Sequence, residues 1–163
     1  MSELERLAAH HATALLRFER ENREWFARSV PDRGDAYFAG FAERHAGLLA
    51  EQATGGCHFH VLVEADEAVI GRFNLVDVAD GEAELGYRVA ERAAGRGVAT
   101  DGVRRVAALA RQAYGLRRLT AETTLDNAGS LAVLRRTGFT PVGEVSLDGR
   151  SGLRLVRELT ADD

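Results

Sequence analysis

Three short stretches hold residues whose types and spacing can do chemistry. The first is Ala94-Gly95-Arg96-Gly97-Val98-Ala99-Thr100, where two glycines flank one arginine just ahead of a helical pattern. Glycines let the backbone turn tightly and approach a ligand, and the first N–H groups of a new helix lack partners within it, so the stretch is built to hold phosphate. It is not the dinucleotide fingerprint, because no third glycine follows at the required offset, and not a P-loop, because no lysine follows. A helix start with glycines for close packing explains it equally well when it is taken alone. The second stretch is Asp126-Asn127-Ala128-Gly129-Ser130, in which Asn127 suits a helix N-cap and Ser130 falls in the first turn. The third is His58-Phe59-His60, two imidazoles on one face of an extended segment. With no third ligand apparent they form a poor metal pair, and core or solvated histidines are the simpler account, ahead of a substrate-side role. No metal site is expected. Cys57 is the single cysteine, which excludes an internal disulfide, and without a Cys-His motif it reads as a small buried residue.

Composition narrows the ligand. A chain of 163 residues with 45% hydrophobic content suits one core, hence one domain over residues 1–163. The net charge of −4 argues against a nucleic-acid binder, and no run approaches ~18 apolar residues, so no membrane span is expected. The charge is uneven: eight arginines between Arg88 and Arg118 face only Glu91 and Asp101. A basic island around a phosphate-shaped turn suits a small polyanion better than a duplex. All 21 cationic side chains are arginine, which reads as compositional bias. The absence of a leader-like apolar run near Glu3 and Glu5, together with the lone cysteine, points to a cytoplasmic setting.

The elements that must position these residues follow from periodicity. Glu3 to Leu7 reads as a short edge strand, then helices are expected over residues 10–28 and 35–53, separated by Val30-Pro31-Asp32-Arg33-Gly34 and together forming a cover that can move. Alternation then predicts strands over 58–64, 68–76 and 82–89, joined at Asp66-Glu67 and Asp80-Gly81 into an antiparallel meander. The clearest helix runs from Gly97 to Tyr114, with Ala99, Val103, Val106, Leu109, Ala110 and Ala113 on its apolar face. A strand over 116–125 makes a βαβ unit with 82–89, which should place the two side by side and parallel, with the glycine turn at the ligand-binding end. A short helix to Thr137 and two strands, 139–147 and 152–159, close the order β-α-α-β-β-β-α-β-α-β-β. The fold class is α/β (α+β), a mixed and mostly antiparallel sheet with a parallel βαβ unit at its centre.

This order, with Glu84-Leu85-Gly86-Tyr87, the Gly95 to Thr100 turn, and Asn127-Ala128-Gly129-Ser130 followed by Arg136-Thr137-Gly138-Phe139, resembles the GNAT superfamily of acetyl-CoA-dependent N-acetyltransferases. More narrowly it is similar to the RimJ/RimL branch, which acetylates N-terminal amines of ribosomal proteins. The resemblance implies acetyl-CoA as cosubstrate. Its pyrophosphate would sit on Gly95, Arg96, Gly97, Val98, Ala99 and Thr100, and its pantetheine arm on the backbone of Leu85, Gly86, Tyr87 and Val89, with Asn127 and Ser130 contributing. The usual signature has Gln or Arg where this chain has Ala94, and Arg92 or Arg96 is expected to substitute.

The reaction so implied is attack of an amine on a thioester. Glu84 is the candidate base, acting through water, against the plainer account of a strand carboxylate paired with an arginine. Many relatives place a tyrosine four residues before the Gly-Phe pair; this chain has Leu134, which leaves Ser130 as candidate donor to the thiolate. An α-amine titrates near 7.7–8.0 and lysine near 10.4, a gap of roughly 3.4 kcal/mol in deprotonation, so a sparsely equipped site suits an N-terminal amine. The amine partner is therefore expected to be a protein or peptide N-terminus, with a small amine or antibiotic, or a catalytically silent CoA sensor, as the alternatives; a homodimer is left open.

Overall fold

A computed structural model describes residues 2–163. Seven strands form one sheet in the order β1-β2-β3-β4-β5-β7-β6: β1 (Ser2–Arg6), β2 (His58–Glu64), β3 (Val69–Ala79), β4 (Glu82–Val89), β5 (Arg118–Thr124), β6 (Thr140–Leu147) and β7 (Arg150–Glu158). All neighbours are antiparallel except β4 and β5, as the mixed-sheet expectation requires. The Asp-Gly turns behave as expected: Asp80 and Gly81 have φ of 53° and 78°, Asp148 and Gly149 of 51° and 79°, the left-handed pair that a two-residue hairpin needs.

Strands β4 and β5 lie side by side and parallel as expected, and their ladder covers Glu82↔Arg118, Ala83↔Leu119 and Glu84↔Thr120 and stops. Beyond Glu84 each strand stays paired on its far side, β4 with β3 out to Val89↔Gly71 and β5 with β7 out to Thr124↔Gly152. The last strand β7 inserts between β5 and β6, so the C-terminal hairpin enters the sheet by its second strand. Each long N-terminal helix is also two. The first gives a 3-10 turn at 9–11, then α1 (Ala12–Glu21) and α2 (Arg23–Ala27). The break falls at Asn22, whose side-chain amide donates to the Phe18 carbonyl at 2.9 Å and whose oxygen accepts the Glu91 N–H at 3.0 Å. Such side-chain bonds compete with the helix ladder. The second gives α3 (Asp35–Ala39) and α4 (Phe41–Ala53), parted at Gly40.

Helices α5 (Val98–Gln112) and α6 (Ala128–Arg136) cover one face of the sheet, over a core that includes Phe73, Leu75, Leu85, Leu119 and Leu155. The α1, α2 and α4 helices cover the other, over Phe59, Val61 and Val69. The buried face of α5 is rotated from expectation: Val103, Val106, Ala107 and Ala110 are buried with Gly102, while Leu109 is half-buried and Ala113 exposed. Gly102 is the reason. A Cβ there would lie 2.2 Å from Phe73 Cζ, so the absence of a side chain lets α5 sit directly on that ring. Gly102→Ala gains about 1 kcal/mol of helix propensity but forces a methyl into a filled core, which costs about 1–3 kcal/mol or more at so short a distance. The expected net result is a fall in Tm of about 3 °C or more by calorimetry.

Candidate active site

The divergence of β4 from β5 leaves Leu85, Gly86, Tyr87, Arg88 and Val89 with a sheet neighbour on the β3 side alone. Two cavities meet along this edge. One, of about 420 Å³, runs from Trp25 past Tyr87 to the 95–100 turn and is closed by α6. The other, of about 620 Å³, lies between the 27–33 loop and the β6–β7 turn and is floored by Glu84, Gly86 and Glu122. Tyr87, Asn127 and Ser130 line both, so they stand where the two join.

The first cavity presents backbone N–H groups that could hold an anion. Gly95 and Gly97 have φ of 74° and 75°, a left-handed conformation that excludes most side chains, and a Cβ on either would meet nothing within 4 Å. Gly97 is the N-cap of α5 and no side chain caps that end, so its first N–H groups face the cavity uncapped. Val98, Ala99 and Thr100 line it as well. Arg96 is exposed and makes no ion pair among the described residues. Arg92 is diverted: its Nη1 donates to Glu64 at 2.6 Å, away from this cavity, so it does not replace the side chain missing at Ala94. Arg136, on α6 across the groove, lines the cavity, is exposed and has no ion-pair partner among the described residues. In the sequence it belongs to the Arg136-Thr137-Gly138-Phe139 motif, to which no ligand role was given. Gly86 is exposed with open space where a Cβ would stand, and Leu85 is buried beside it. The Val89 carbonyl accepts the Trp25 indole N–H at 3.2 Å, which fixes the α2 end of the groove.

At the junction, Asn127 caps α6 by accepting the Ser130 N–H at 3.1 Å. That leaves the Ser130 hydroxyl free to face the Tyr87 hydroxyl at 3.3 Å. Burial pushes the Tyr87 phenol up, and the Ser130 contact offsets part of the rise, so Tyr87 holds its proton at neutral pH. The pairing was not visible in sequence, because β4 and α6 are brought together by the sheet order alone. Leu134, buried, packs in the core beneath the second cavity.

On the floor of the second cavity, Glu84 is half-buried and makes no ion pair among the described residues, so the arginine-paired alternative is not what the fold presents. Burial, Glu122 and Asp77 raise its carboxyl above the usual range, and Arg154, which pairs with Glu122 at 3.3 Å, offsets part of this. His58 and His60 lie elsewhere, as core residues. The Phe73 carbonyl accepts from His60 Nδ1 at 3.2 Å, so Nε2 is unprotonated and accepts the Tyr114 hydroxyl; burial pushes this imidazole down to about 4. His58 stacks on Tyr114 at 3.7 Å between centroids. Cys57 is buried, its thiol pushed up by burial and by Glu51. Glu5, His10 and His11 bring ligand atoms within 4.8 Å of one another. His11 Nδ1 accepts the Ala8 N–H at 2.9 Å, however, so its proton sits on Nε2, which donates to Glu5 at 3.0 Å and has no lone pair for a metal.

An unpaired strand edge beside an uncapped helix N-terminus, with a second cavity entering from the other face, is the layout of a transferase that holds a long phosphorylated donor along the sheet. The chain belongs to the acetyltransferase (GNAT) family, whose domain model matches residues 3–140, and it is an N-acetyltransferase of that family, which uses acetyl-CoA. It is 27% identical over 130 residues, 76% of this chain and 72% of the relative, to the probable N-acetyltransferase YjcK of Bacillus subtilis. Its fold matches the ribosomal-protein-S5-alanine acetyltransferase of Vibrio fischeri with a TM-score of 0.91, at 19% identity over 98% of this chain and 94% of that one. It also matches Mycobacterium smegmatis RimJ in complex with a CoA disulfide, with a TM-score of 0.86 at 24% identity over 96% and 81%. A spermidine N-acetyltransferase from Vibrio cholerae, in complex with CoA and spermine, superposes at 0.79 with 16% identity over 97% and 95%. Among the described residues no helix is long and apolar enough to cross a membrane.

The open glycine turn and the uncapped N-terminus of α5 are the groups that could hold the phosphates of acetyl-CoA, and the turn supplies the test. Gly97→Glu, which strains a left-handed residue and adds a negative charge, is expected to abolish CoA binding by calorimetry, and wild-type affinity is expected to weaken as salt rises. Unchanged affinity in the variant would place the phosphates elsewhere.

Proposed function

We propose that the chain transfers the acetyl group of acetyl-CoA directly to the N-terminal α-amine of a peptide or protein. One observation carries this reading: an interior strand edge, residues 85–89, unpaired on one side between the N-termini of α5 and α6. Backbone groups in a sheet interior need partners. The pantetheine arm, a chain of amides, supplies them while its pyrophosphate lies against the uncapped α5 N-terminus.

The amine enters from the second cavity. Its nitrogen forms the new bond to the acetyl carbon, the carbon–sulfur bond breaks, and the amine's proton passes through water to Glu84. The leaving thiolate emerges beside the α6 N-terminus, where Ser130 donates a proton or a hydrogen bond and is itself supported by Tyr87. In this reading the Tyr87–Ser130 pair does what a tyrosine at position 134 would do. The N-terminal amine is favoured over lysine because it is roughly 3.4 kcal/mol easier to deprotonate, and a carboxylate such as Glu84 is a weak base for either.

Glu84→Gln is expected to lower kcat/KM about 10²-fold, with the largest loss below the pKa of the amine and with the acidic limb of the pH profile removed. Because the folded state raises the Glu84 carboxyl, its ionisation weighs against folding once the pH passes that raised value. The same variant is therefore expected to have a higher Tm at pH 8, with the gain closing by pH 4. A loss of activity equal at pH 7 and 9.5 would assign Glu84 to positioning. Ser130→Ala and Tyr87→Phe are each expected to slow turnover about 10- to 100-fold with CoA affinity nearly unchanged, and the double variant to lose less than the product of the two. Full activity in either single variant would remove that hydroxyl from the reaction.

A further inference from the structure

The wall of the second cavity holds a charge that the chain does not balance. Glu19 of α1 is 1% exposed, and its carboxylate accepts from three guanidinium groups: Arg72 Nη1 at 2.9 Å, Arg88 Nη1 at 3.0 Å and Arg33 Nε at 3.1 Å. Burial alone would raise this carboxyl, but the three arginines outweigh it and hold it below its ordinary range. One carboxylate against three cations leaves a net charge of +2. A single arginine would serve a purely structural pair, and excess charge away from water is costly unless a counter-ion completes it. Arg72 is 4% exposed, and its Nε has no partner; nor has Oδ1 of Asn74, two residues along the same strand face. All three arginines and Asn74 line the acceptor cavity. Arg33 is held on its loop from the side as well, because Asp32 next to it takes both Nε and Nη2 of Arg23, at 2.9 and 2.8 Å.

The far end of the same cavity has the opposite sign. Arg154 pairs with Glu122, and Glu84 has no ion pair among the described residues. Register puts both ends on one sheet face, since Arg72 pairs with Arg88 and Val76 with Glu84. Arg88 is four residues from Glu84 on a single strand, a separation of about 13 Å.

We propose that the acceptor is a peptide whose second residue carries a side-chain carboxylate, which docks on the Arg33, Arg72 and Arg88 cluster while the α-amine faces Glu84. This rests on the reading of the cavity as the acceptor site of an N-terminal acetyltransferase. A free amino acid holds its two charges on one carbon and cannot reach both ends. In an extended peptide, an acidic second residue separates amine and carboxylate by up to roughly 10 Å. A polyamine would bring cations to the cationic end.

The test is steady-state kinetics with acetyl-CoA and three pentapeptides that differ only at residue two, glutamate, glutamine or lysine. The glutamate peptide is expected to exceed the glutamine peptide by about 10- to 100-fold in kcat/KM, mainly through KM, with the lysine peptide lowest and the preference shrinking as salt rises. Arg33→Glu, at a side chain one quarter exposed, is expected to cut the glutamate-to-glutamine ratio at least tenfold and to improve the lysine peptide. Equal turnover of the three peptides, or preference for lysine, overturns the proposal and leaves the N-terminal reading standing. Turnover of spermidine or another small amine with none of any peptide overturns both. The wild-type panel decides even if the variant fails to fold.

Discussion

The ladder between β4 and β5 ends at Glu84↔Thr120, and the working parts of the molecule are arranged around that end. The strands are not loose beyond it. Each is held on its outer side, and β7 is drawn close to β5 because Gly152 has no Cβ, which would otherwise lie 2.7 Å from the Thr123 carbonyl. The sheet therefore opens in its interior while keeping both banks rigid. Backbone groups left without partners there weigh against folding by about 1–3 kcal/mol each if water does not reach them, and a ligand with amides of its own recovers that energy on binding. Both flanking helices start at the opening, so their N-termini face the same place.

The N-terminal helices α1 and α2 form a cover with fastenings on the central strands and on the connection leading out of them. Glu19 reaches Arg72 and Arg88, Asn22 takes the N–H of Glu91, and Trp25 donates to the carbonyl of Val89. The last two attachments lie just before the 95–97 turn. A shift of α2 therefore moves the wall of the second cavity and the approach to the first together. Movement of the cover as a free flap, which the two tandem helices suggested in sequence, would have to break a buried ion cluster, and removing one partner of such a cluster costs about 3–5 kcal/mol.

Local rules carried the sequence reading as far as local physics reaches. Gly95 and Gly97, the Asp-Gly hairpins and the Asn127 cap were legible because a left-handed φ or a first-turn N–H makes its demand on a residue and its immediate neighbours. What was not legible depends on distant partners. Asn22 ends α1 because Glu91, far along the chain, offers it an N–H, and α5 turns its face because Gly102 meets Phe73. Arg92 and Arg96 look alike in sequence, yet Glu64 claims the first. The stopping point of the β4–β5 ladder depends on the pairing of two strands distant in the chain, which neither strand's own residues specify. The Tyr87–Ser130 pair and the Glu19 cluster are of the same kind, products of sheet order and register.

In the proposed reaction the same electrostatics at Glu84 would both serve and limit the chemistry. A carboxylate of ordinary pKa is a poor proton acceptor for an ammonium near 7.7–8.0, and each unit by which its pKa rises narrows that mismatch by about 1.36 kcal/mol. Burial comes first in raising it, with Glu122 and Asp77 adding to the effect. Those neighbours also make this end of the cavity attractive to the protonated amine, whose arrival would draw the Glu84 pKa back down and hold the proton in place. A strongly basic amine would remain trapped in that ion pair. An α-amine, already near neutrality at physiological pH, can lose its proton before or as it docks. In the proposed reaction the half-exposed position of Glu84 limits how basic its carboxylate becomes, and Arg154, which pairs with Glu122, offsets part of the rise.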